Sequence, residues 1–99
     1  MDTQQVQLTE EVIQAINEEL EYQNKMAGTP RATYEDNGVA GQVLSLQTYA
    51  RKANDAWTLN DGNYEALDEL RKCAAIAIRA LVRFGCPRRE TRDKTLKGE

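Results

Sequence analysis

The chain has 99 residues, 13 Lys and Arg against 16 Asp and Glu, a net charge of -3, two cysteines and no histidine. A chain this short forms one domain around one modest core and buries about two-thirds of the surface its unfolded form exposes. The lack of histidine excludes Ser-His-Asp and Cys-His nucleophiles, histidine-built zinc sites and a histidine base, and no run reaches the roughly 18 to 20 apolar residues of a membrane span.

Residues 1–8 carry no periodicity and read as a flexible N-terminus. They have neither the basic start nor the apolar segment of a signal peptide, which points to the cytoplasm. The domain is expected over 9–86, followed by a polar basic tail over 87–99. The first helix begins at Thr9, whose side chain can cap it. Glu10 and Glu11 then sit in the positive first turn, and Leu8 can staple onto Ile13. Val12, Ile13, Ile16 and Leu20 make its apolar stripe, and a break is expected from Met26 through Ala27-Gly28-Thr29-Pro30. The loop 30–38 is long for a helix connection, and Arg31 and Tyr34 are its notable side chains. Tyr34 can lie over the core as a lid with Arg31 solvated, or both can serve a ligand.

A second helix opens at Asp36 or Asn37. Its apolar seam, Val39, Val43, Leu46, Ala50, Ala53 and Trp57, steps by four and three. The turn Asn60-Asp61-Gly62-Asn63 hands the chain to a third helix in antiparallel sense, with Asn63 as its cap. That helix is the most apolar stretch of the chain. Leu67, Leu70, Ala74, Ala77, Leu81 and Phe84 mark one face, and Ala75, Ile76, Ile78 and Ala80 fill much of the remaining circumference. Gly85 and Pro87 end it, with Cys86 folding back on Leu81. Cys73 and Cys86 lie too far apart on this helix for a disulfide.

The fold expected is all-α: a compact antiparallel bundle of three main helices, completed by oligomerisation to a dimer or higher homo-oligomer. Leu70, Ala74, Ala77 and Leu81 are expected to face Val43, Leu46, Ala50 and Ala53. A helix apolar around most of its circumference needs more cover than two neighbours supply, and Ile76, Ala80 and Arg83 are the expected symmetric contact.

Nine of the basic residues fall from Arg71 onward, so the last third is a basic pole. It can attract phosphate, nucleic acid or an acidic surface, or it can complement the negative end of the long helix's dipole. Nucleic acid is disfavoured, because the overall charge is negative and no aromatic series accompanies the pole. Lys72, Arg79 and Arg83 lie near one line on the third helix, while Gln42, Tyr49 and Lys52 occupy the second helix away from its seam. Guanidinium groups grip phosphate oxygens and tyrosine stacks on a base. Together with Arg31 and Tyr34, these residues form the candidate ligand site. They can equally be a surface stripe or an intersubunit contact.

The glycines match neither dinucleotide nor phosphate-loop spacing, and no motif calls for a cofactor. Glu18, Glu19 and Glu21, and then Glu65, Asp68 and Glu69, are carboxylate groups that could hold a hard ion such as magnesium, or simply complement helix dipoles.

Glu21-Tyr22-Gln23 ends a Glu-rich first helix, the second helix opens Gly-x-x-Gly, and Glu69 to Ala77 read Glu-Leu-Arg-Lys-x-Ala-Ala-Ile-Ala. In these features the chain resembles the small MazG-like helical proteins found in phage genomes. The resemblance implies helical subunits assembled as dimers or larger oligomers, with nucleotide sites at helix faces between them. Active members carry Glu-Glu-x-x-Glu after the loop, and this chain departs from it there with Gly41-Gln42-Val43-Leu44-Ser45-Leu46. The function expected is therefore non-catalytic: an oligomeric phage-type protein that sequesters a nucleotide-derived signal of a host defence pathway in the host cytoplasm. The alternatives are a divergent metal-dependent nucleotide pyrophosphohydrolase and a helical interaction protein that inhibits a host enzyme.

Overall fold

Thr9 starts the first helix as its side chain requires: the Val12 N–H donates to the Thr9 hydroxyl at 3.2 Å and the Ile13 N–H to the Thr9 carbonyl at 2.9 Å. The computed structural model describes residues 5–26, 38–59 and 62–89, and no strand occurs among them. Their helices are α1 (Glu10–Met26), α2 (Gly38–Thr58) and α3 (Gly62–Phe84). The loop with Arg31 and Tyr34, the opening residues Asp36 and Asn37, part of the α2–α3 turn and the end of the basic tail lie outside the described residues.

α3 begins one residue before Asn63, at Gly62, whose φ of 96° lets the chain reverse where a side chain would be strained. At its far end the Gly85 N–H donates to the Leu81 carbonyl at 3.0 Å, and φ of 117° at Gly85 turns the chain out of the helix. Cys86, expected to fold back on Leu81, is exposed, and both cysteines are free thiols.

α2 and α3 form an antiparallel hairpin. The Cys73 thiol donates to the Leu46 carbonyl at 3.9 Å, and the Lys72 ammonium lies 5.8 Å from the Tyr49 ring, so numbers fall on one helix as they rise on the other. α1 packs on α3 and not on α2, held where Arg71 meets Glu19 and where the Gln23 amide donates to the Lys72 carbonyl at 3.5 Å.

The buried apolar residues are small but for one: Ala53 and Ala56 on α2, Cys73 and Ala75 on α3, and the larger Ile76 beside them. This corrects the expected seam. Leu70 is 50% exposed, Leu81 41% and Val43 51%, and Ala50 is also exposed. On α3 the hairpin closes instead on a face turned by about 100°, or one residue: Cys73, Ile76 and half-buried Ala80. On α2 Leu46 and Ala53 lie at the interface as expected, joined by Gln42, Tyr49 and Ala56 in place of Val43, Ala50 and Trp57. Small residues there let the two backbones approach more closely than paired leucines would. Ile76 is only 5% exposed within its own chain, so the expected symmetric contact through Ile76 and Ala80 is also overturned.

α3 thus has three faces. One meets α2, a second carries Ala75 and Arg71 toward α1, and the third, Leu67-Leu70-Ala74-Ala77-Leu81-Phe84, meets nothing among the described residues that would bury its large side chains.

Candidate functional site

The polar residues that the three helices bring together surround Lys72. From α1, Glu19 is buried although it is charged, because its face of the helix also carries Ile16, Leu20 and Gln23. Its Oε1 accepts from Arg71 Nη2 at 3.2 Å and Nε at 3.3 Å, while its Oε2 accepts from Gln23 Nε2 at 3.2 Å. Arg71 turns its other terminal nitrogen to Asp68 one helical turn back. The Lys72 ammonium stands 3.7 Å from Asp68 and 3.4 Å from Glu69. Across the hairpin, Lys52 covers the Tyr49 ring at 4.7 Å from its centroid and Lys72 approaches the same ring at 5.8 Å.

This cluster is electrically balanced. Three carboxylates, Glu19, Asp68 and Glu69, answer Lys52, Arg71 and Lys72. The Arg71 hydrogen bond holds the Asp68 carboxyl below the usual aspartate value; burial opposes it, and the Arg71 and Lys72 charges add to the lowering. The same hydrogen bond raises Arg71. Burial works against the charge on Lys72, yet Glu69 and Asp68 together outweigh it and raise its pKa. Burial, reinforced by Glu69, pushes the Cys73 thiol up, so it is a core thiol and not a nucleophile. Gln23 Oε1 and Glu69 Oε1 are buried with no hydrogen-bond donor among the described residues.

The second arrangement lies farther along α3. Leu20 and Asn24 of α1 face Ile78, Arg79, Val82 and Arg83 across a groove of about 230 Å³. Arg79 is half-buried and Arg83 exposed, the latter with its guanidinium carbon 5.3 Å from the Phe84 ring. Among the described residues neither guanidinium has a carboxylate partner. Two unpaired guanidinium groups, a carboxamide and apolar walls can together hold an anionic group attached to a flat or apolar body.

The candidate residues therefore divide. Tyr49, Lys52 and Lys72 do come together, but Lys72 is committed to Asp68 and Glu69 and is not a free phosphate ligand. Arg79 and Arg83 share the groove with α1, seven and eleven residues beyond Lys72, which places them about 10 to 16 Å along the helix axis. Gln42 is buried in α2, on the side turned to α3. Arg31 and Tyr34 lie outside the described residues. Sequence reasoning missed Glu19 and Gln23 as linchpins and Asn24 as a groove residue. Their signal was a polar pair at four residues' spacing inside the apolar stripe of the first helix.

A divalent ion, which the family resemblance implies, does not fit these residues. Among the described residues no three of Asp, Glu and Cys converge as a metal would need, and the acids of the cluster already face the Arg71 and Lys72 charges. No described helix is long and apolar enough to cross a membrane. Compared with protein-family models, curated proteins and solved structures, the chain matches none.

Proposed function

We propose that the protein is a non-catalytic helical binding protein for an anionic, nucleotide-like small molecule, held in the groove between α1 and α3. The observation that carries this reading is the pair of unpaired guanidinium groups, Arg79 and Arg83, lining a groove with apolar walls and Asn24. Charge-assisted contacts to phosphate oxygens supply the affinity, and Leu20, Ile78 and Val82 accommodate the less polar part of the ligand. Binding without turnover is the property of a sequestering protein. The MazG-like resemblance suggests a nucleotide as ligand, and in a phage a sequestering protein of this kind would remove a nucleotide-derived signal from a host defence pathway.

Binding without hydrolysis is supported by the acids of the cluster: splitting a pyrophosphate needs divalent charge to neutralise phosphates and activate water, and Glu19, Asp68 and Glu69 are engaged by Arg71 and Lys72. Calorimetry with mononucleotides, cyclic dinucleotides and adenine dinucleotide derivatives tests it. Expected is reversible binding that weakens with salt, with the ligand recovered intact after incubation with magnesium. Magnesium-dependent pyrophosphate release lost in Glu69→Gln would establish the hydrolase instead. Binding to none of these compounds, with inhibition of a host enzyme lost in Arg79→Glu, would establish the interaction protein.

A further inference from the structure

The uncovered face of α3 does not stand alone. In an antiparallel hairpin, the apolar positions of α2 that the hairpin leaves out turn to the same side as those left out on α3, and the 3.6-residue period puts α1 on the opposite side. Val39, Val43 and Trp57 of α2 thus continue the surface of Leu67, Leu70, Leu81 and Phe84, and all of them are exposed. None of the residues in this plate is charged.

The plate is also a palindrome. Read from either end, the α3 face runs large, large, small, small, large, large: Leu67, Leu70, Ala74, Ala77, Leu81, Phe84, at steps of three, four, three, four and three. Laid against itself in antiparallel sense, the face brings Ala74 opposite Ala77, Leu70 opposite Leu81 and Leu67 opposite Phe84. A two-fold interface demands this self-complementarity, since each contact must occur twice. The alanines at the centre let the helix axes approach, and the larger side chains close both ends. With typical side-chain areas, the exposed fractions leave on the order of 700 Å² of apolar surface, near the roughly 800 Å² per partner of a standard interface.

We infer that this plate binds a second copy of the chain, pairing the two α3 helices antiparallel about an axis between Ala74 and Ala77. Two hairpins then form a four-helix core, with α1 and its groove left on the outer side of each protomer. The assignment is independent of the groove's ligand.

The test is sedimentation equilibrium at micromolar concentration, with cross-linking to read the register. Expected is a mass twice the 11.2 kDa of the chain, reduced to that of one chain by Leu70→Glu or Leu81→Glu with the helical circular dichroism retained. In a Cys86→Ser background, mixing Ala74→Cys with Ala77→Cys chains gives a disulfide-linked pair, whereas Asn54→Cys chains give none. A monomer, whether its plate is left bare, covered by another part of the chain or reserved for a different protein, overturns the inference. So does a dimer indifferent to both glutamate substitutions that fails to cross-link at 74 and 77.

Discussion

Arg71 of α3 grips Glu19 of α1 with its Nη2 3.2 Å from Oε1, and Glu19 is the one buried acid in α1. The pair, with Gln23, forms the polar tie between the first helix and the hairpin. Removing one partner strands the other, so Arg71→Met should destabilise the protein by about 1.5 to 3 kcal/mol, the value of a hydrogen bond to a charged group. The double variant Glu19→Met, Arg71→Met should recover part of that loss, because no buried charge is then left alone. Urea denaturation of the four proteins gives the coupling directly.

Acid should loosen the same junction. Asp68 is held below the usual aspartate value, first by its hydrogen bond from Arg71. A carboxylate depressed on folding contributes stability that is fully present above its unfolded pKa, about 3.9, and lost as pH falls through the lower folded value. Stability in urea should therefore fall as pH drops below about 4, with a shallower fall in Asp68→Asn. Equal slopes for the two proteins would show that Asp68 is not coupled to folding.

Ile76 and Leu81 separate the chain's own core from its outer face. Ile76→Ala should cost about 2 to 5 kcal/mol as a buried large-to-small change. Leu81→Ala touches a half-covered face, so its loss should depend on protein concentration, as expected where assembly and folding are linked. Denaturation midpoints at two concentrations about a hundredfold apart distinguish these outcomes.

Ligand affinity should follow the groove. Arg79→Ala or Arg83→Ala should weaken binding about ten- to a hundredfold, equivalent to one charge-assisted contact of roughly 1.5 to 3 kcal/mol. Lys72→Met should leave affinity within about threefold, or about 0.6 kcal/mol, and lower stability instead, because its ammonium already serves Asp68 and Glu69. Calorimetry with thermal denaturation on the same samples reads both effects.

Local chemistry sufficed for the elements. Thr9 as a cap, Met26 as an end, Gly85 as a left-handed terminator and the absence of any alternating apolar run yield three helices and no strand among the described residues, because these effects act within one or two turns. Which faces meet was legible only in part. The regular seams through Leu70, Leu81 and Val43 were the strongest signals, yet of those seams Leu46 and Ala53 reached the hairpin, which otherwise closed on Gln42, Tyr49, Cys73 and Ile76. Periodicity states that a face is apolar and carries no information about its partner; on α3 it marked two faces at once. The basic line was legible only in part. Lys72 has its acids, Asp68 and Glu69, four and three residues back on the same helix, a pairing that spacing alone places, whereas the packing of α1 beside α3 decided that the two arginines border an open groove. A charge's availability depends on what lies within about 4 Å: neighbours one turn away are placed by the helix itself, and groups from other elements only by tertiary structure.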